Sequence, residues 1–195
     1  MTPPRQYLLF TAALATCASL LSACNDATPP TAPDSPSPTA AVSVSKAVGG
    51  GAERIVNMMD ACDPASFEAQ GVSCTRSGGV TFEQFLALLG KHQSAGAWHF
   101  APGIVNARVG QELVAINRGG EVHTFTEVEE FGGGIVPALN DLSGNPVPAP
   151  ECLALEPDDF VAPGGRYTDD VEEAGTEHYQ CCIHPWMRVD VNARS

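Results

Sequence analysis

The sequence predicts a mainly β protein, an antiparallel β-sandwich with short helices on its N-terminal side. Three observations carry that expectation. From Trp98 onward, β-branched and aromatic residues come in short runs broken by Gly and Pro, the pattern of strands separated by turns. Two windows before residue 97 place apolar residues at helical spacing instead. Before residue 52 the chain holds only an apolar leader and a stretch rich in Pro, Thr, Ser and Ala, neither of which builds a core.

In chain order, Arg5 precedes an apolar stretch from Tyr7 to Leu21. It is too short and too weakly flanked for a spanning helix, so residues 1–23 read as a secretory signal. Leu21-Ser22-Ala23-Cys24 looks like the bacterial lipoprotein signal, which implies acylation of Cys24 and an exported, extracytoplasmic protein of the periplasm or cell envelope, anchored to a membrane by its N-terminal lipid. The alternative is a plain cleavage site with Cys24 incidental. Residues 24–51 are almost free of large apolar side chains and read as a disordered tether. Residues 52–96 then form a helical N-terminal extension, and 97–195 the sandwich.

Within the extension, ERIVNMMD (53–60) and TFEQFLALL (81–89) read as helices. In the second, Thr81 and Gln84 fit a capping box, Phe82, Phe85, Leu86 and Leu89 form one apolar face, and Gly90 ends it. Strands follow in WHFAPGIVNARVGQELVAINRGGEVHTFTEV, with turns at Pro102-Gly103, Gly110 and Gly119-Gly120 and core candidates at Val109, Leu113 and Val114. The Gly- and Pro-rich stretch 131–163 is a long excursion with one helical turn near Ala138 to Leu142. A turn at Gly164-Gly165, a strand, a turn near Gly175 and a strand ending at Cys181-Cys182 come next, and MRVDVNA completes about seven strands.

Lys and Arg number 10 against 23 Asp and Glu, a formal net charge of −13. That balance excludes nucleic acid as a partner. It favours solubility and steers basic partners, unless acids such as Glu127, Glu129, Glu130, Asp169, Asp170, Glu172 and Glu173 merely solvate the surface.

Of 7 cysteines, Cys17 leaves with the signal and Cys24 takes lipid. Cys62, Cys74, Cys152, Cys181 and Cys182 remain, an odd number for an oxidising compartment. Cys62 and Cys74 bracket a short turn-rich segment and are expected to pair. Cys181 and Cys182 are neighbours, so on a strand they face opposite ways. One of them can pair with Cys152 while the other turns inward as a thiolate ligand.

EHYQCCIHPWMRVDV (177–191) sets Cys181, His184 and Met187 at steps of three in a loop between two strands. His123 follows the Gly119-Gly120 turn at the start of another strand. One thiolate, two imidazoles and a weak axial thioether are the donor set that holds copper for electron transfer. Zinc is disfavoured, because structural zinc draws on more thiolates or histidines. His99 and His178 read as structural, and His92 as solvated.

At these residues the chain resembles the cupredoxins, small blue-copper proteins. Cys181-x-x-His184-Pro185-x-Met187 is similar to the short copper loop of the amicyanins. RVGQELVAINRGGEVHTF resembles the family's strand, turn and first histidine ligand, and APGGRYTDDVEEAGTEHYQC the strands leading to the cysteine. The likeness covers about residues 97–193.

It implies a Greek-key β-sandwich holding one copper ion, cycling between Cu(I) and Cu(II), on His123, Cys181, His184 and Met187. The function implied is one-electron transfer rather than enzymatic chemistry, with redox proteins as partners, such as a cytochrome or a respiratory or periplasmic oxidoreductase. Pro185 would stiffen the loop, and the ring edge of His184 would be the electron port. Trp186 beside it would form a docking spot or pack against the sandwich. Thr124 stands where the family commonly has an Asn that ties the ligand loops together. With Cys181 a ligand, Cys182 pairs with Cys152 and staples the excursion beside the loop.

A copper buffering or delivery lipoprotein is the rival reading. Such proteins favour methionine- or histidine-rich open sites, and this chain has 4 methionines with no cluster around the site. Copper enzymes often flank the cysteine with histidines, whereas Gln180 and Cys182 do so here.

Overall fold

The computed structural model describes residues 52–195, so the expected signal, the acylation site Cys24 and the tether lie outside the described residues. In chain order the elements are β1 (Arg54–Met59), α1 (Pro64–Glu68), α2 (Phe82–His92), β2 (His99–Ala101), β3 (Ile104–Arg108), β4 (Glu112–Asn117), β5 (His123–Thr124), β6 (Thr126–Val128), α3 (Pro137–Leu142), β7 (Phe160–Val161), β8 (Arg166–Asp170), β9 (Gly175–Gln180) and β10 (Arg188–Arg194). One sheet runs β2-β1-β4-β8, a second β3-β10-β9-β6, and β5 pairs with β7.

Burial alternates along β1, β3 and β10, as strands of a two-layer sandwich do. Val105 and Ala107 of β3 and Val189, Val191 and Ala193 of β10 turn inward, and Val56, Met58, Leu113, Ala115, Phe125 and Tyr179 join them in one core. At about 25 cal/mol per Å² of apolar surface, this shared interior is the main force holding the sheets together. No helix among the described residues is long and apolar enough to cross a membrane.

Three expectations are corrected. The stretch 53–60, read as a helix, is strand β1: Ile55 faces outward while Val56 and Met58 are completely buried. Its pairing with β4 and β2 outweighs the helical propensity of two methionines. That pairing also makes the sandwich mixed instead of antiparallel, since β1 runs parallel to β4 and β10 parallel to β3. Parallel neighbours need long crossovers, and α1, α2, β2 and β3 lie between β1 and β4. Val109, a core candidate, is 42% exposed beside the Gly110 turn, whereas Leu113 and Val114 are buried.

Helix α2 begins as expected, with Thr81 and Gln84 bonded reciprocally in a capping box. It continues through Gly90 to His92 and ends at Gln93, which adopts φ 58° and donates its N–H to Leu89 O at 2.8 Å. Disulfides join Cys62 to Cys74 and Cys152 to Cys182, with Cα separations of 6.2 and 5.3 Å, both in the range a relaxed bridge spans. Cys181 is free.

Candidate metal centre

His123 is placed by its neighbours on both sides. Asn117 at the end of β4 donates through Nδ2 to the carbonyls of Glu121 and Val161, both at 2.8 Å, and its Oδ1 accepts the N–H of Gly119. The turn is thereby closed, and β5 starts with His123 paired to Val161 of β7. The end of the Gly- and Pro-rich excursion thus returns to hold the ligand strand. Gly120 has no room for a side chain, since a Cβ would meet the Cys62 sulfur and the Arg76 backbone at 2.8 Å.

Cys181 leaves β9 and turns inward. Its Sγ lies 3.8 Å from His123 Nδ1 and 3.7 Å from His184 Nδ1. The three donor atoms lie within 4.8 Å of one another, and all three residues are buried. Met187 is completely buried at the end of the same loop. The loop closes on itself, because the Met187 N–H donates to His184 O at 2.9 Å and the Cys181 N–H donates to Met187 O at 3.0 Å. Pro185 O accepts from Arg188 Nε at 2.7 Å, which steadies the exit.

Thr124 links the two ligand segments. Its backbone N–H points at Cys181 Sγ, 3.4 Å away, and its hydroxyl accepts the Cys182 N–H at 2.7 Å. A threonine therefore bonds across the ligand loops at the position where the resembling family commonly places asparagine. Cys182, turned the opposite way, is bonded to Cys152. Its carbonyl accepts the Ile135 N–H at 2.7 Å, and Gly134 lies so close to it that any side chain there would collide.

Two buried carboxylates that the sequence did not single out complete the site. Asp60, at the end of β1 with its side chain 1% exposed, lies 2.9 Å from His123 Nε2. Glu121 faces His184 Nε2 at 3.8 Å and accepts a hydrogen bond from Trp98 Nε1. Asp60 was hidden because its segment reads as a helix, and Glu121 because it sits in what looks like a plain Gly-Gly turn. The nearest sequence signal was an acid two residues before the first histidine.

These groups set one another's charge. Burial opposes ionisation of Asp60, but hydrogen bonds from His123, Gly120 and Glu121 overcome it and bring its pKa down to about 2. Burial pulls the His123 imidazole down, and its bonds to Asp60 and Cys181 more than compensate, raising it to about 9. Burial pushes the Cys181 thiol up, yet the two facing histidines hold it well below the usual thiol range. Burial raises Glu121. In the metal-free protein Cys181 is therefore poised as a thiolate, the form that binds metal.

His184, expected to present its ring edge as the electron port, is 3% exposed, and its ring packs edge-on against Phe85 of α2 and against Trp186. Trp186 is packing in the same aromatic cluster, with its centroid 5.9 Å from that of Phe85. A recess of about 260 Å³, lined by Phe85, Leu86, Leu139, Ile183, Glu121 and His184 among others, approaches the imidazole between α2 and α3. The remaining histidines stay apart: His178 Nδ1 bonds Asp190 at 2.8 Å, and His92 and His99 are exposed.

A two-sheet β-sandwich thus encloses a buried His-Cys-His cluster, its cysteine at the end of the penultimate strand.

No protein-family model matches the chain, and no curated protein sequence matches it. Among solved structures it is similar to a novel purple cupredoxin from Nitrosopumilus maritimus, at 15% identity over 72% of this chain and 99% of that one, with a TM-score of 0.42. It is similar to amicyanin from Paracoccus versutus at 19% identity, over 49% of this chain and 73% of that one, with a TM-score of 0.33. The Cu(I) form of a methionine-to-alanine mutant of amicyanin gives 20% identity, the same coverages and a TM-score of 0.35. At these scores the neighbours add nothing to the chemistry of the site, which stands on the residues of this chain.

Proposed function

We propose that the protein is a one-electron carrier built around a single copper ion, which His123 Nδ1, Cys181 Sγ and His184 Nδ1 would hold, with the Met187 thioether as a weaker fourth donor. The observation that carries this reading is the buried convergence of one low-pKa thiol and two imidazoles, a donor set that suits copper, beside a buried thioether, which is a poor ligand for zinc. Bound there, copper supplies a one-electron couple between Cu(I) and Cu(II).

The chain's own residues do the rest. Thr124, the loop hydrogen bonds and the Cys152–Cys182 bridge hold the donors in one arrangement for both oxidation states, so little moves when an electron does. Phe85, Trp186 and Ile183 keep water away from His184. With the imidazole edge covered, the recess between α2 and α3 is where a redox partner comes nearest the site. The closed surroundings suit an ion retained for redox work better than one handed on, and they leave no open position for a substrate. The protein is accordingly read as a carrier and not an enzyme.

The N-terminal sequence extends the proposal. Acylation of Cys24 would anchor the chain in the cell envelope, and the tether to residue 51 would keep the domain near membrane-bound oxidoreductases while letting it swing between donor and acceptor.

Voltammetry of the copper-loaded domain separates this reading from copper buffering. A carrier gives one reversible one-electron wave over repeated cycles with the metal retained. Loss of copper on reduction would favour the buffering and delivery role.

A further inference from the structure

We propose that Asp60 is a positioning residue of the metal site, fixing His123 with Nε2–H turned outward and the Nδ1 lone pair aimed at the position shared with Cys181. The inference rests on the copper reading above and adds a residue from outside both ligand segments, 63 positions before the first histidine ligand.

Four donors converge on this one carboxylate. Oδ2 lies 2.9 Å from His123 Nε2 and accepts from Glu121 N at 3.0 Å, Gly120 N is shared between both oxygens at 2.9 Å, and Oδ1 accepts more weakly from Cys62 N at 3.4 Å. Both Asp60 oxygens already accept backbone N–H groups, so the carboxylate meets Nε2 as an acceptor and the imidazole donates from Nε2. Nδ1, 3.8 Å from Cys181 Sγ, is then the nitrogen that gives up its proton when a metal binds. Because the same carboxylate receives the Gly120 and Glu121 amides, it also sets the turn that carries the histidine. The disulfide at Cys62 ties this anchor to the segment packed on that turn, where the Thr75 N–H donates to Gly120 O at 2.8 Å.

Asparagine is a poorer partner, although it has the same shape. If its amide nitrogen sits at the Oδ2 place, it faces the Glu121 and Gly120 N–H groups and donates to Nε2, which drives the histidine proton to the ligand nitrogen. Turned the other way, its NH2 faces the Cys62 amide, and its oxygen meets Nε2 only as a neutral, weaker acceptor.

The test has two independent arms. In metal-free wild-type protein labelled with 15N-histidine, the proposal requires a slowly exchanging, downfield proton on His123 Nε2. Its absence overturns the proposal whether or not the protein binds copper. In the second arm, copper affinity is measured by chelator competition for wild type and Asp60→Asn, with circular dichroism of the metal-free forms as the fold control. A folded variant should lose about tenfold to hundredfold in affinity, the range seen when an outer partner of a metal-bound histidine is removed, and its charge-transfer band should shift. Unchanged affinity and spectrum in a folded variant overturn the proposal. If Asp60→Asn does not fold, the NMR arm decides alone. A wild-type protein that takes up no copper would defeat the functional reading, and the histidine proton would still decide the role of Asp60.

Discussion

Cys181→Ser is expected to abolish the visible charge-transfer band of the oxidised protein and lower copper affinity by more than about a hundredfold, beyond the loss typical of removing an outer hydrogen-bond partner. The reason is chemical rather than steric. A serine hydroxyl stays protonated near neutral pH, whereas the thiol is held well below its usual range by His123 and His184 and binds as the thiolate. The fold should survive, because the smaller oxygen can still accept the Thr124 N–H that now points at sulfur. Circular dichroism and the urea midpoint of the metal-free variant should therefore stay close to wild type. A variant that keeps its colour would remove Cys181 from the ligand set.

Trp98→Ala is expected to be the most damaging single truncation on the N-terminal side of the site. Trp98 is 1% exposed, stacks on Phe67 at 5.9 Å and contacts Phe85 at 4.7 Å between ring centroids. Its indole N–H is also the hydrogen-bond donor to Glu121, which is buried against His184. Truncation leaves a cavity and a carboxylate without its donor, a loss of about 3–5 kcal/mol from the first effect alone. Trp98→Phe keeps most of the packing and isolates the second effect at about 1–3 kcal/mol. Urea unfolding of the two variants, without metal, measures the difference. Equal midpoints for Trp98→Phe and wild type would show that the Glu121 bond contributes nothing.

The convergence of His123, Cys181 and His184 was legible because its information is local. Cys181 and His184 sit three apart in one loop, and His123 follows a Gly-Gly turn, so residue type and spacing suffice. The Cys152–Cys182 bridge also followed once Cys181 was taken as the ligand. What supports the ligands was not legible. Asp60 reaches His123 only because β1 pairs in parallel with β4, a contact between distant segments that no local pattern announces. The alternation of Val56 and Met58 hinted at a strand, but Met58-Met59 with flanking charges fits a helix as well. The cover over His184 was lost for the same reason: Phe85 reads as one more residue on an apolar helix face, and nothing in α2 says which partner that face meets. Mixed strand polarity was likewise invisible, since period-two alternation is the same in parallel and antiparallel neighbours.

Titration of the metal-free protein with Cu(II), followed by visible absorption, distinguishes a copper centre from any other use of the buried cluster. An intense thiolate-to-copper band is expected to grow linearly and saturate at one copper per chain, with both disulfides intact and the fold retained. A colourless titration, with the protein instead retaining zinc in preference to copper, would contradict it.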